Sequence, residues 1–479
     1  MIDSDPIDFE RLRDTMKAFD PSPKIEPNAR VELDQAFFPD GHRGVFDFNR
    51  PLVLGNRGMG KSFWTHALLN QDLRARIAQV YGLPALAHTD VRIGFNGSEK
   101  LGEVAATRDD IKTALTDDIE ADLTWRAVIL RAADKGGNFT FKETVARLRS
   151  SPSLYSQVLT SLDNSLVLNG TSILIVFDAL DLLANDWLQI RALTKALLTR
   201  VIGLQSFRRI RAKVFMRIDQ FADRETFSFA DSSKLINNRV NLTWKPHELY
   251  GLMLWDLIRI SSGSNELDRL AERIDARPAL PRLGRVNTSE LADQERLIAA
   301  LAGEFMGSHK KRGRVYSWIP LHLGDTANNC SPRTFLTAWK SAAEHVPPAR
   351  TRVVDHLGLI EGVRNASRAR LAELREDLPW IDAALVPLRR QFVPMLRDEL
   401  YALWSDYDVV DKLLEDAEEG AWLLPLAVFL QNDNAGLLAT MKLICVMEER
   451  ANGKINVPDI FRVEAGILRK GGVAVPRRS

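Results

Sequence analysis

Residues 51–62 read PLVLGNRGMGKS, and no other stretch limits the possible folds of this chain so strongly. A short apolar strand, Pro51 to Leu54, runs into G-x-x-x-x-G-K-S, and a helical pattern opens at Phe63 and continues through Leu69. Each residue type in that loop has a chemical reason. Gly55, Gly58 and Gly60 let the backbone turn its N–H groups inward around a phosphate, with Asn56, Arg57 and Met59 completing the loop. Lys61 supplies a point charge to the β- and γ-phosphates, and the Ser62 hydroxyl completes a Mg²⁺ shell. A Gly-rich turn with a purely structural purpose is the alternative. The apolar strand before the loop and the helix after it decide against that. The expected ligands are therefore ATP and Mg²⁺, held by Gly55 to Phe63. No guanine-reading N-K-x-D motif occurs, which tilts the base towards adenine.

The bulk properties narrow the setting. At 479 residues, with 45% hydrophobic and 27% charged residues, the chain has room for several domains and a sizeable core. Lys and Arg number 64 against 63 Asp and Glu, a formal net charge of +1, so any contact with DNA must come from a local patch. The two cysteines, Cys330 and Cys445, lack metal-ligand spacing and suit a reducing compartment. Asp3, Asp5, Asp8 and Glu10 are wrong for a signal peptide, and the longest apolar run, Leu297 to Ala302, is too short to span a bilayer. The expected location is cytoplasmic.

Four regions are expected along the chain. Residues 1–45 form an acidic, Pro-punctuated lead-in with one helical pattern from Phe9 to Phe19. In 46–245, β-like runs (51–54, 91–95, 172–177, 214–218, 240–242) alternate with helical segments, notably 111–133 and 187–202, as in a parallel sheet with crossover helices. Residues 246–345 read as helical, with Pro246 at a helix start and helices near 249–260, 291–306 and 332–343. Residues 346–479 hold more helices and then a β-like end, 453–458 and 461–473, with the look of a wing.

Asp178 ends the apolar strand TSILIVFD at 171–178, and an acid there can hold Mg²⁺ opposite the P-loop serine. Alone, it would read as an ordinary helix-capping residue. The next residue is Ala179, where many ATPases place a glutamate that polarises the attacking water. Asp181 either takes that task from one turn further on or caps the next helix. Slow or partner-dependent hydrolysis follows. Arg217 and Asp219 close the strand KVFMRID at 213–219, at the carboxyl edge of the sheet. Arg217 there either senses the third phosphate or forms a surface salt bridge.

The order of these elements resembles the AAA+ and STAND branches of P-loop ATPases. The resemblance covers residues 46–345 well and the last third loosely. It implies an α/β fold: a parallel-sheet P-loop core with the Mg²⁺-acid strand next to the P-loop strand, then a helical lid and a C-terminal winged-helix-like domain. Lys61, Ser62 and Asp178 match the family motifs directly, Arg217 sits where the family keeps its first sensor, and Arg333 of NCSPRTFL resembles the lid arginine. The bland reading of Arg333 is a solvent-facing side chain. Arg239, with Arg224 as competitor, is near where ring-forming members place an arginine finger. The absent glutamate beside Asp178 departs from the family pattern and points to switch ATPases or initiator ATPases rather than unfoldases.

Two basic patches stand out, Lys310, Lys311, Arg312 and Arg314 ahead of Tyr316 and Trp318, and Arg469, Lys470, Arg477 and Arg478 near the end of the chain. The first either grips a phosphate backbone or is a solvated loop whose Tyr316 and Trp318 dock into the lid core. The second either contacts DNA phosphates, which the acids at 408, 411, 415, 416, 418 and 419 oppose, or belongs to a domain that, as in switch ATPases, packs on the nucleotide domain and holds it closed. The leading expectation is an ATP-driven switch or assembly factor, homo-oligomeric or acting on a protein effector, in prokaryotic signalling or defence. The alternative is a DNA-binding ATPase of initiator, helicase-loader or transposition-regulator type. A scaffold that binds nucleotide without turnover is a third.

Overall fold

The computed structural model describes residues 6–22, 36–100, 102, 104–134, 139–184, 186–260 and 264–470. The chain forms two compact units, one from residues 25–243 and one from residues 1–24 with 244–479.

The first unit is an α/β core. Five strands, β1 (Leu52–Leu54), β2 (Thr89–Phe95), β3 (Ser172–Phe177), β4 (Ile210–Met216) and β5 (Val240–Asn241), form one sheet in the order β2-β3-β4-β1-β5. Every pairing is parallel, with Leu52 beside Val214, Val53 beside Val240, and Val214 also beside Phe177. β1 and β3 are buried along their whole length, which is why they read as continuous apolar runs rather than alternating ones. Trp125, on the Ala121–Ala133 helix, meets Phe177 edge-on at 5.6 Å and donates its indole N–H to the Leu193 carbonyl at 2.7 Å, tying two helices to β3.

Three expectations change here. The acid-bearing β3 is not next to the P-loop strand, because β4 lies between them. The helical pattern at 111–133 is two helices, Arg108–Thr116 and Ala121–Ala133, separated at Asp118, whose φ of 48° breaks the first. β4 stops at Met216, so Arg217 caps a short helix, Ile218–Phe221, that contains Asp219.

The second unit is mainly helical. Its first helix, Phe9–Lys17, packs Leu12 and Met16, with Phe19 just beyond, into one core with Tyr250, Leu254 and Trp339. Arg13 is buried there and donates Nε to Val353 O and Nη2 to Arg352 O, both at 2.8 Å. The helices Pro332–Ala343 and His356–Asp377 cross closely: a Cβ on Gly362 would lie 2.1 Å from Ala338 O.

Towards the end, Arg397–Asp406, Val409–Glu418, Leu426–Gln431 and Asn434–Leu443 are helices. An antiparallel hairpin follows, β7 (Glu448–Glu449) with β8 (Ile455–Asn456), and Met395 bridges to Ile455. β6 (Phe392–Val393) pairs in parallel with β9 (Leu468–Arg469). The β-like expectation from Phe461 onward changes to a helix, Asp459–Ala465: Pro458 opens it, Gly466 closes it at φ 69°, and Ile460, Phe461 and Arg462 are its buried residues. No helix among the described residues is long and apolar enough to cross a membrane.

Candidate nucleotide site

The site lies at the carboxyl ends of three neighbouring parallel strands, where the chain leaves β1, β3 and β4. After β1 the loop turns through Gly58 (φ 80°) and Gly60 (φ 102°), conformations that side chains with a Cβ rarely adopt, and the Lys61–Leu69 helix starts at once. Gly55 is packed against the exit from β5, so a Cβ there would lie 3.2 Å from the Leu242 Cβ. Asn56 and Arg57 line the outer part of the loop, Met59 is buried beneath it, and Phe63 meets Trp64 edge-on at 4.8 Å.

Lys61 folds back over this loop. Its Nζ donates to Gly55 O at 2.7 Å and Asn56 O at 3.2 Å. Desolvation lowers its pKa from the ordinary lysine value; Asp178 opposes that shift, and Arg217, Asp181 and Asp219 are close enough to act on it as well. The Ser62 hydroxyl is exposed in the first turn of the helix.

Asp178 is buried at the end of β3. Its Oδ1 accepts the Ala179 N–H at 2.8 Å, and the Thr65 hydroxyl donates to Oδ2 at a long 3.4 Å. Burial pushes its carboxyl above the usual range, against the pull of the Ala179 N–H and Lys61. Ala179 is left-handed at φ 57°, a strain placed directly after the acid. Asp181 sits exposed in the following 3-10 turn, Leu180–Leu182. Arg217 forks onto Asp219, Nε to Oδ1 at 3.0 Å and Nη2 to Oδ2 at 2.8 Å, while Nη1 lies 3.6 Å from Asp181 Oδ2. Burial opposes the charge on Arg217, but Asp219 and Asp181 outweigh it and hold the guanidinium above its ordinary value.

Lys61, Ser62, Asp178, Asp181 and Arg217 thus share one edge of one unit. The residues fit a nucleotide triphosphate with Mg²⁺ on two observations. Lys61 spends its donors on loop carbonyls that a phosphate would displace it from, and Ser62 with Asp178 offers a hydroxyl and a carboxylate, the hard oxygen donors that Mg²⁺ prefers.

No protein-family model and no curated protein sequence matches this chain. Among solved structures, it is similar to the Orc2 protein of Aeropyrum pernix, determined as ADPNP and ADP complexes, at 14% identity and a TM-score of 0.37, over 87% of this chain and 85% of that one. It is also similar to Cdc6p of Pyrobaculum aerophilum, at 11% identity and a TM-score of 0.29, over 94% and 95% of the two chains.

Arg333 belongs to the other unit. Ser331 caps its helix, accepting the Thr334 N–H at 3.1 Å, and the guanidinium pairs with Glu373 Oε1 at 3.1 Å. Arg239 donates to Ile236 O at 2.6 Å and stacks on Phe221 at 5.2 Å, whereas Arg224 is exposed. In the first basic patch, Lys310, Lys311 and Arg312 form an exposed 3-10 turn, and Arg314 pairs with Glu295 at 2.6 Å. Its aromatics face inward: Tyr316 stacks on Tyr250 at 4.5 Å and Trp318 on His322 at 3.9 Å. In the second patch Arg469 reaches Asp459 at 3.6 Å, Lys470 is exposed, and Arg477 and Arg478 lie outside the described residues.

Two contributors escape a sequence reading. Thr65, one helical turn after Lys61, supports Asp178, and that spacing could have found it. His42 could not be found so. Its Nδ1 accepts the Trp64 indole N–H at 2.9 Å and its Nε2 meets Thr243 O at 3.0 Å, joining the P-loop helix to the end of the unit across large sequence gaps.

Proposed function

We propose that the chain is a Mg²⁺-dependent ATPase of the AAA+ type, slow in turnover, whose nucleotide state controls what its helical unit binds. The observation that carries this reading is the convergence of Lys61, Ser62, Asp178 and Arg217 on three adjacent strand ends. ATP would lie in the glycine loop, with Lys61 on the β- and γ-phosphates; Ser62 and Asp178 would hold Mg²⁺, which would neutralise charge on those phosphates. Hydrolysis places a water oxygen on the γ-phosphorus while the bond to the bridging oxygen breaks. ADP leaves with that electron pair, and the water's proton passes to a phosphate oxygen. Asp181 orients the water, and Arg217 is the residue that reads the third phosphate. Slowness follows from Ala179, where no carboxylate stands beside Asp178.

Duplex DNA is the partner this reading favours over a signalling or defence effector. Lys310, Lys311 and Arg312 face solvent with no ion-pair partner among the described residues, and the Glu448–Asn456 hairpin with its bridge to Met395 supports reading this region as a wing. The test is ATP turnover with and without duplex DNA, with Lys61→Ala as blank. Turnover or assembly that responds to DNA, and weakens steeply with salt, supports this reading. Nucleotide-gated assembly indifferent to DNA returns the protein to the switch class.

A further inference from the structure

The contacts of Arg217 are unequal. Two of its nitrogens are committed to Asp219 as a parallel fork at 3.0 and 2.8 Å, the geometry that fixes a guanidinium plane most firmly. Among the described residues the third, Nη1, has only the exposed Asp181 carboxylate, at 3.6 Å. The neighbouring position cannot substitute. A Cβ built on Gly97, in the loop after β2, would lie 3.5 Å from the Ala179 Cβ and 2.7 Å from Leu182 Cδ1. The side chain at 179 is thus turned to the Gly97 loop, while Asp181 is turned to Arg217.

We propose that Asp219 is a positioning residue that aims Arg217, and that Asp181 competes with the third phosphate for Nη1, so that this carboxylate pair sets how strongly the site distinguishes a nucleoside triphosphate from a diphosphate. The inference rests on the ATP-site reading above. Without a third phosphate, Arg217 bridges both acids. A γ-phosphate oxygen, carrying more charge than one carboxylate oxygen at 3.6 Å, draws Nη1 away. Asp219 keeps the rest of the guanidinium in place, and Asp181 is released to face water.

The experiment titrates the full chain, with Mg²⁺, against ADP and against a non-hydrolysable ATP analogue, for the wild type, Asp181→Asn, Asp219→Asn and Arg217→Met. Asp181→Asn should tighten the analogue by about two- to fivefold, the scale of one exposed ion pair, and leave ADP unchanged. Asp219→Asn should weaken the analogue towards the Arg217→Met level, again sparing ADP. Unchanged ADP affinity also reports that each variant is folded. An analogue-to-ADP ratio that Asp181→Asn leaves unchanged, or ligands that shift together, overturns the competition while the ATP site stands. A wild type that binds neither nucleotide overturns both.

Discussion

The imidazole of His42 offers a prediction whose size can be worked out beforehand. The ring is fully buried, and its two partners fix its state: the Trp64 indole can only donate and the Thr243 carbonyl can only accept, so His42 must be neutral with its proton on Nε2. Burial lowers its pKa to about 4 from the ordinary 6.5, against the opposing pull of the Thr243 carbonyl. Between those values the unfolded chain takes up a proton that the folded chain refuses, so stability is lost as the pH falls through this window. By pH 5 the linkage amounts to about 2 kcal/mol, and the full shift to about 3 kcal/mol. His42→Gln retains an acceptor for Trp64 and a donor for Thr243 but does not titrate there. Urea unfolding of both proteins at pH 7.5 and pH 5, read on the transition of the α/β unit, isolates the term from other titrating groups. The wild type should lose about 2 kcal/mol more than the variant between those two pH values. Equal losses would mean that the ring is solvated or already charged in the fold, and the assignment of both hydrogen bonds would fail.

Other outcomes follow from the same structure. Lys213 is buried on β4, donating to Asp47 O at 2.8 Å, and burial lowers its pKa to about 7, so the unfolded state binds the extra proton between that pH and 10.5. Stability should therefore rise with pH across that window in melting experiments, and Lys213→Met should flatten the slope. Gly362→Ala forces a Cβ to 2.1 Å from Ala338 O and should destabilise the helical unit by about 1–3 kcal/mol or more in denaturant unfolding. Ala179→Glu, aimed at the Gly97 loop rather than at Arg217, should leave ATP turnover no faster than wild type in a steady-state assay.

What the sequence made legible was local. The glycine loop and Lys61 lie within a dozen consecutive residues, and Asp178 is marked by its own apolar strand, so neither needs knowledge of distant pairing. Strand order is another matter. β1 bonds to β4 and β5, each more than 150 residues away, and nothing in either segment says that β4 rather than β3 is the neighbour. The misread helix at 459–465 shows a different limit. Phe461 and Val463 suggest alternation, but Arg462 between them is buried, bonding Asp459 and Ile467 O at 2.9 and 3.0 Å. A charged side chain satisfied inside the fold looks like a surface position in the sequence. Arg217 follows β4 at the carboxyl edge of the sheet, but its fork onto Asp219 depends on the turn into a short helix that the strand pattern hides.

The central claim is that residues 55–62 hold ATP through Lys61, and calorimetric titration of Mg²⁺-ATP into the full chain tests it most directly. The account predicts saturable binding near one nucleotide per chain, weakened by about a hundredfold or more in Lys61→Ala through loss of its charge-assisted bonds. Equal affinity in the two proteins, or no binding to the wild type, would contradict it.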